Sequence, residues 1–476
     1  MWSQSYHLVV LLGSLALLMW LIVRGRSIFV AAPCCALLAV TLSGHDPLAA
    51  LTGPYMQGFA DYVRRFFLIF ALGAAFGKMM EDSGAAIRIA RTVGGVLGEQ
   101  RACLAVVLAC AVLTYGGVSL FVVGFSVFPL ALQLFRAANL PRRFIPAAIA
   151  FGSVTFTMTS AGSPEIQNLI PIQYLVDEAT GQSLTDARAG WPVSLIVAAC
   201  MFLLGQWYLE WAIRRDMVRG GRFESYERDQ VRPEVRADQL PGFTRSVVPL
   251  CITLLALNVA PWAGHTLATW IELPANAPSA LRTLHHVLGH FPEDATLAIF
   301  LGVVAAMLCL GPWLGGVWTS LGDGFVNGLL AAGSTSAVVG FGAAVRDLPS
   351  FEIVVSWVTQ LPGDPLIGAA VAVGVIAAIA GSASGGQGIA LPIVKPIFID
   401  QLGVAPRALH RVVAIASGTL DSLPANGYLV MLIRNICGET HGRAYGPIFV
   451  TTVLIPLLGT MLAIALFKWF PAWGEL

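Results

Sequence analysis

Two acidic residues of this sequence lie inside long apolar segments, at points where glycine, proline and polar residues interrupt the apolar pattern. Glu165 belongs to the interruption GSVTFTMTSAGSPEIQN (Gly152 to Asn168), and Asp421 belongs to SGTLDSLPANG (Ser417 to Gly427). An isolated charge in such a setting is expensive, so we expect each carboxyl group to be paired, neutral or functional. A buried carboxyl can take up and release a proton, which makes both residues candidate proton carriers; plain helix capping is the alternative.

The residues around the two acids are typical of helix N-termini. The run Ser163-Pro164-Glu165 has a favoured N-cap residue, a residue suited to the first helical position and an acid suited to the positive end of the dipole. Asp421, Ser422 and Pro424 are expected to do the same at the second interruption. Helix N-termini present unpaired backbone N–H groups, which suit a small carboxylate. Anion binding here therefore requires no dedicated arginine.

Two glycine-rich turns add hydroxyl and amide groups to these candidates. Tyr115-Gly116-Gly117 interrupts an apolar stretch of 34 residues (102–135), and GSASGGQG, from Gly381 to Gly388, interrupts a second stretch of the same length (366–399). Glycine allows close approach of the backbone, and serine and glutamine supply donors. The candidate binding residues all lie at a turn or an interruption: Tyr115, Gly116, Gly117, Ser119, Ser160, Ser163, Gln167, Asn168, Ser382, Ser384, Gly385, Gly386, Gln387, Ser422 and Asn426.

The composition places these segments in a membrane. The chain has 476 residues, of which 57% are hydrophobic and only 12% charged, against about 25% charged in ordinary soluble domains. Stretches such as 8–23 and 448–467 approach the roughly 20 apolar residues that a helix needs to cross a bilayer. Irregular backbone at membrane depth is tolerated only inside protein or along a cavity, so the two interruptions are cavity candidates.

The positions of Lys and Arg predict the topology. They cluster in short loops at alternate ends of the apolar segments, and cytoplasmic loops carry the excess of such residues. Placing Arg24 and Arg26 in the cytoplasm puts both termini outside, in the periplasm of a bacterial inner membrane. Arg101 and Arg136 then lie on the same side of the first 34-residue stretch. A re-entrant hairpin fits this stretch best, because it is too long for one crossing and short for two.

The chain also resembles itself at an offset of about 266 residues, over about 95 positions. The offset matches Gly58 with Gly324, and Phe76-Gly77 with Phe341-Gly342. This self-similarity predicts two inverted repeats, residues 1–213 and 246–476, joined by a cytoplasmic linker at 214–245. Each repeat is expected to contain five transmembrane helices, a re-entrant hairpin (102–135 or 366–399) and a broken helix that follows it (144–175 or 404–435).

Other reactive residues give weaker signals. The eight cysteines lack metal or redox spacing and are interpreted as small core residues. His285, His286 and His290 cluster in a predicted external loop, without the cysteines or acids expected of a metal site. Lys395 is expected either to reach the membrane surface or to contact substrate or an acid. We expect no cofactor and no nucleic-acid partner.

Four passages resemble the gluconate permease family of proton symporters, within the larger ion transporter superfamily. They are GAAFGKMMEDSGAAIRIA (Gly73 to Ala90), VGFSVFPLAL (Val123 to Leu132), GSASGGQGIALPI (Gly381 to Ile393) and ASGTLDSLPANGYLVMLI (Ala416 to Ile433). The last passage is closer to hydroxybutyrate-type permeases, and TSAGSPEIQN (Thr159 to Asn168) replaces the Pro- and His-containing stretch of gluconate carriers. The resemblance implies proton-coupled uptake of a small hydroxy-monocarboxylate, a homodimer, and elevator-like movement of the hairpins and broken helices against a scaffold.

The sequence therefore predicts a secondary active symporter for an acid such as 3-hydroxybutyrate or a gluconate-like acid, and not an enzyme. The same fold with Na⁺ coupling, or with a dicarboxylate as substrate, stays open as an alternative. A membrane-embedded protease using Asp323 and Asp421 is a remote alternative, because the paired signatures of such proteases are missing. A channel or a sensor is equally remote.

Overall fold

The protein is helical throughout the part of the chain that the structure describes. A computed structural model describes residues 4–24, 26–226, 237–260, 295–346, 363–424 and 426–476, with single positions between 263 and 282 and at 348. Within these ranges the only β pairing is an isolated antiparallel bridge between Val176 and Ser183. The expectation of an all-α polytopic protein is confirmed. The inverted repeat and the domain boundaries stay predictions, and the three clustered histidines lie outside the described residues.

The helices that precede the predicted linker are α1 (Gln4–Val23), α2 (Ile28–Leu42), α3 (Met56–Asp82), α4 (Ala85–Leu97), α5 (Ala102–Tyr115), α6 (Leu120–Ala137), α7 (Ile145–Ala150), α8 (Ile166–Tyr174) and α9 (Trp191–Val218). A short helix at Pro47–Ala50 and a π-helical turn at Leu51–Tyr55 lead into α3. A π-helical turn also continues α7 to Thr155. Because α9 runs to Val218, helix occupies the first residues of the predicted linker.

The described helices that follow the predicted linker are α10 (Phe243–Asn258), α11 (Ala295–Leu310), α12 (Val317–Arg346), α13 (Pro365–Ala380), α14 (Ala383–Val394), α15 (Pro406–Leu420), α16 (Gly427–Val430), α17 (His441–Phe449) and α18 (Ile455–Trp469). π-Helical turns continue α14, α16 and α17 to Gln401, Ile436 and Leu454. Helix α10 begins at Phe243, so the last residues of the predicted linker are also helical.

Five stretches of the described chain are long and apolar enough to cross a membrane as helix. They are Leu120–Ala137, Trp191–Val218, Ala295–Trp313, Val317–Arg346 and His441–Trp469. Shorter apolar helices such as α2 and α10 accompany them, and α4 meets the segment Glu99–Tyr115, which contains α5, at an angle of 105°. The molecule is thus a multi-pass membrane protein.

Helices α3 and α12 pack closely against each other at glycine residues. A Cβ placed on Gly324 would lie 2.3 Å from the Ala75 Cα, and one on Gly328 would lie 2.5 Å from the Ala71 Cα. Small residues allow helix backbones to approach in a membrane, where lipid offers no hydrophobic drive for helix association. We call this α3–α12 pair the central pair; both the turn after α5 and α14 lie against it.

Two helix pairs turn at the predicted glycines. Helix α5 ends at Tyr115, and Gly117 takes a left-handed conformation (φ 92°) before α6 begins at Leu120. Helix α13 ends at Ala380, and Gly381 (φ 62°) leads directly to α14. Glycine suits both positions because a side chain would strain a positive φ. We call the segments 115–119 and 381–387 tip 1 and tip 2.

The described residues of the two interruptions lie at 156–165, and at 421–424 and 426, within the stretches expected from the sequence, and we call them break 1 and break 2. The predicted helix restarts are wrong in detail. Helix α8 begins at Ile166, with Glu165 rather than Ser163 at the N-cap, because the Ser163 hydroxyl accepts the Glu165 N–H (3.3 Å) in a turn before the helix.

At break 2 the predicted cap is also wrong, since Asn426 takes the role expected of Asp421. Its amide oxygen accepts from the Leu429 N–H at 3.0 Å, where α16 begins. Asp421 lies instead at the C-terminal end of α15. Its carboxylate accepts from the neighbouring Ser422 hydroxyl (3.0 Å), so it is not available to cap α16.

Candidate functional site

Tip 1 lies against break 1. The Tyr115 hydroxyl donates to the Ala161 carbonyl oxygen at 2.8 Å. A Cβ on Gly117 would lie 3.1 Å from the Pro164 Cγ, so the glycine permits this close approach. From α10, the Asn258 side-chain amide donates to the Gly162 carbonyl oxygen at 2.9 Å. These contacts hold the irregular backbone of break 1 in one conformation.

Tip 2 lies against break 2 in the same manner. The Asn426 side-chain amide is 3.5 Å from the Gly381 carbonyl oxygen, and the Asp421 carboxylate lies within hydrogen-bonding reach of the Ala383 backbone N–H. Within the tip, the hydroxyls of Ser382 and Ser384 are 3.1 Å apart, and the Ser382 hydroxyl accepts from the Gly385 N–H. Break 2 thus places a carboxylate at the N-terminus of α14.

Residues 387, 418 and 121 make further contacts that connect the two halves of this arrangement. The Gln387 side-chain amide donates to the Gln167 main-chain carbonyl (3.1 Å) and to the Ser417 hydroxyl (2.7 Å). Position 418 in α15 lies against Thr159, with the Thr159 Cγ2 at 3.6 Å from an ideal Cβ there. The Phe121 ring at the start of α6 meets the Tyr428 ring edge-on at 5.6 Å. Both tips and both breaks therefore form one connected region.

Six of the fourteen buried polar side-chain atoms that lack a hydrogen-bond partner in the described residues lie in or beside this region. They are Tyr62 Oη, Thr114 Oγ1, Gln167 Oε1, Asn168 Oδ1, Gln387 Oε1 and Arg411 Nη2. Buried polar groups in folded proteins are normally hydrogen-bonded. These six atoms therefore make the helix breaks a candidate binding region for a polar ligand.

Two of these atoms are fixed as acceptors by the rest of their side chains. The Asn168 nitrogen donates to the carbonyl oxygens of Ser163 (2.8 Å) and Ala187 (2.9 Å), and carbonyl oxygens only accept. The Gln387 nitrogen is likewise engaged with a carbonyl oxygen. The free oxygens of Asn168 and Gln387 can therefore accept only from a donor such as a hydroxyl group, or coordinate a cation.

A buried arginine lies beside break 1. Arg411 is fully buried in α15 and donates from Nε to the Ala189 carbonyl (2.9 Å) and from Nη1 to the Thr159 carbonyl (2.5 Å). The sequence interpretation assigned this site no arginine. The signal that would have found it is the His410-Arg411 pair in the otherwise mostly apolar helix that leads to break 2.

The two candidate proton carriers have different surroundings. Glu165 is 9% exposed, and its carboxylate has no hydrogen-bond or ion-pair partner among the residues described. Asp421 is 7% exposed and accepts from the Ser422 hydroxyl. Lys395 pairs with Glu178 (2.9 Å) and Asp400 (3.2 Å), two exposed acids. Of the two alternatives for Lys395, the structure thus shows contact with acids near a surface.

Some predicted binding residues serve the backbone of the site. Ser119 packs beside Gly77 of α3, and the Ser160 hydroxyl donates to the Phe156 carbonyl within break 1. A Cβ on Gly116 would clash with Leu250, and one on Gly386 would lie 2.4 Å from the Ala377 Cα. No cluster of His, Cys, Asp and Glu in the described residues could hold a metal ion.

The chain is similar to membrane permeases over nearly its whole length. A family model described as GntP family permease matches residues 6–467. An uncharacterized transporter of Bacillus subtilis strain 168, YxjC, is 33% identical over 94% of this chain and 96% of its own length. The high-affinity gluconate transporter of Escherichia coli K12 is 24% identical over 87% of this chain and 88% of its own length. A gluconate permease of Pseudomonas aeruginosa is 26% identical over 59% of this chain and 62% of its own length.

Two solved structures share the fold. The YdaH transporter of Alcanivorax borkumensis has a TM-score of 0.57 at 16% identity, covering 90% of each chain. The efflux pump MtrF of Neisseria gonorrhoeae has a TM-score of 0.53 at 14% identity, covering 89% of this chain and 84% of its own. At these identities the likeness concerns the fold alone.

Proposed function

Because this chain belongs to the GntP family of permeases, we propose that it is a secondary active transporter for a small hydroxy-monocarboxylate, driven by protons. The family and the relatives are permeases rather than enzymes. An acid such as 3-hydroxybutyrate or a gluconate-like acid is the proposed substrate. The proposed location is a bacterial inner membrane, with both termini in the periplasm and two copies forming a homodimer.

The observation that carries this proposal is the set of unpartnered buried polar atoms at the four interruptions. A hydroxy acid carries a carboxylate, which needs donors, and hydroxyl groups, which need acceptors. The free oxygens of Gln167, Asn168 and Gln387 offer acceptors. Tip 2 offers serine hydroxyls and, at the N-terminus of α14, the backbone N–H of Ser384 as donors. One substrate of this class would satisfy both sets.

Glu165 is the proposed proton carrier of the cycle. Its carboxylate is nearly buried and has no partner within the described ranges, so an ionised Glu165 would be an unpaired charge at membrane depth. When Glu165 takes up a proton, that charge is removed. When it releases the proton, the ionised carboxylate again needs water around it. The side chain therefore favours the protonated form when it is buried and the ionised form when it is open to water.

The proposed movement is that of an elevator. The two tips and the two breaks hold one another through Tyr115, Gln387 and Asn426, and would move as one body past the central pair. A substrate held between the tips would then be exposed to either side in turn, as in other carriers with broken helices at the midplane.

Uptake into proteoliposomes tests the proposal. Purified protein reconstituted with an inside-alkaline pH gradient should accumulate labelled 3-hydroxybutyrate. Competition by unlabelled gluconate, lactate and citrate then ranks these acids by how strongly each inhibits that uptake. Accumulation that is independent of the gradient would contradict proton coupling. Failure of every hydroxy-monocarboxylate to be taken up or to compete would contradict the substrate class.

Sodium coupling is the second candidate, and one observation favours it. The free amide oxygens of Gln167 and Gln387 belong to the ligand type that hard cations prefer. Replacing external Na⁺ by choline at a fixed pH gradient separates the two. Unchanged accumulation supports protons, whereas loss of accumulation in choline supports sodium.

A further inference from the structure

Tyr62 of α3 combines full burial with a hydroxyl that has no partner among the described residues. Its ring stacks along the helix with Phe66 (centroids 4.5 Å apart), which fixes its direction. A buried hydroxyl without a partner loses its hydration and gains nothing in return. Phenylalanine would fill the same space without that loss, so packing alone does not explain a tyrosine here.

The Tyr62 side chain faces tip 2. A Cβ on Gly388 would lie 2.9 Å from the Tyr62 Cε2, so the ring lies directly on the α14 backbone. Ser384 lies one helical turn before Gly388 on the same face of α14, and its side chain lies beside the Tyr62 hydroxyl. The Ser384 hydroxyl lies 3.1 Å from that of Ser382 and also faces the Tyr62 hydroxyl.

At the N-terminus of α14 one backbone donor, the Ser384 N–H, remains at this point. Ser382 caps the helix by accepting from the Gly385 N–H, and the Asp421 carboxylate lies at the Ala383 N–H. The Ser384 N–H has no backbone acceptor within the described part of the chain. The tyrosine hydroxyl, the serine hydroxyl and this N–H all meet at one small volume at the tip.

We infer that Tyr62 binds the carboxylate of the substrate, together with the Ser384 hydroxyl and the N-terminus of α14. This inference rests on the proposed function, since it names the protein groups that hold the acid end of the proposed substrate. It also adds a residue of the central pair to a site otherwise built from tips and breaks. The carboxylate is thus held between the central pair and tip 2.

Tyr62→Phe tests the inference, because it removes only the hydroxyl. The readouts are the Kd of the purified protein for 3-hydroxybutyrate and for gluconate, and the melting temperature without ligand. A hydrogen bond to a charged group is worth enough to raise both Kd values about ten- to hundredfold. The melting temperature without ligand should stay the same or rise, since the hydroxyl has no protein partner.

Tyr55→Phe is the matched control. Tyr55 is also a buried tyrosine whose ring lies against a glycine of the central pair, Gly340, but it packs in a separate apolar cluster with residues of α1 and α2. Removing the hydroxyl of Tyr55 should leave both Kd values unchanged. Ser384→Ala supplies a second comparison: its effect on Kd and that of Tyr62→Phe should be less than additive, because both groups contact the same carboxylate.

The possible outcomes separate the inference from the proposed function. If the wild-type protein binds these acids and Tyr62→Phe binds them equally well, the inference is wrong and the proposed function stands. A lower melting temperature with unchanged Kd values would show that the hydroxyl is structural, and would also overturn the inference. If the wild-type protein binds neither acid, both the proposed substrate class and the inference fail.

Discussion

Replacing Glu165 by glutamine separates proton coupling from binding, because the amide keeps the shape of the side chain but cannot carry a proton. The carboxylate has no partner in the described residues and caps no N–H group at the start of α8. The change should therefore alter the free energy of unfolding by less than about 1 kcal/mol, as expected for a site without hydrogen bonds to lose.

The expected loss of coupling can be given a magnitude. One pH unit is worth about 1.36 kcal/mol per proton. With one proton per substrate, the wild-type protein should concentrate 3-hydroxybutyrate up to about tenfold under a gradient of one unit. Glu165→Gln should reach only equal concentrations inside and outside. Counterflow, in which labelled substrate exchanges for unlabelled substrate without net proton movement, should persist.

Accumulation and counterflow are measured on the same proteoliposomes, with Glu99→Gln as the control because Glu99 is an exposed glutamate outside the site. The reasoning is refuted if Glu165→Gln still concentrates substrate under the gradient. Asp421→Asn serves as the contrast. It weakens the bond from the Ser422 hydroxyl and the contact with the Ala383 N–H, so it should cost about 1.5–3 kcal/mol of stability.

Two further changes test how the site is held together. Arg411→Met removes two charge-assisted bonds, to the Thr159 and Ala189 carbonyls, and should cost about 3–6 kcal/mol; an unchanged melting temperature in detergent would contradict this structural role. Gly386→Ala places a methyl group 2.4 Å from the Ala377 Cα, so it should force α13 and α14 apart and lower the melting temperature. Gly442→Ala, which meets open space, should leave the melting temperature unchanged or raise it, and equal losses for the two alanine variants would refute the packing argument.

The location of the helix breaks that form the candidate site could be predicted from sequence, because their residues are unusual for a membrane helix. Glycine, proline and polar residues inside apolar segments mark breaks that a membrane helix otherwise avoids. The positive φ of Gly117 and the close approach of Gly386 to α13 follow from the same glycine signal. The acids Glu165 and Asp421 were found because charge is rare at that depth.

The partners of the breaks could not be predicted, since they depend on which helices meet. Tyr62 belongs to the run ADYVRRFF in α3, and nothing local relates it to Ser384 in α14. Arg411 precedes one break by ten residues but contacts the carbonyl of Thr159 in the other. The N-cap residue of α8 could not be predicted from the sequence either, because a buried turn at Ser163 moves the start of the helix to Ile166.

Glycines that the internal offset of about 266 residues matches make corresponding contacts in the structure. Gly58 and Gly324, which the offset matches, each pack against the opposite member of the central pair, at Ala343 and at Ala75. Gly77 and Gly342, a second matched pair, lie against the first and second hairpin, at Ser119 and Ile389. Equivalent glycines thus make equivalent contacts, as the prediction of two inverted repeats requires. The repeat itself stays a prediction.

A transported ligand and a permanently bound structural ligand would both form hydrogen bonds with the free polar atoms of the site. The two kinds of ligand can be told apart because these atoms belong to different parts of the fold. Gln387 and Ser384 belong to α14, whereas Tyr62 belongs to the central pair. If α14 moves past the central pair, a ligand that lies between them must break its contacts with one of the two and form them again during every transport cycle. Tyr62 would then strengthen binding in one state only, and Tyr62→Phe should change substrate affinity on one side of the membrane more than on the other. Equal changes of affinity on both sides would contradict movement of tip 2 relative to Tyr62.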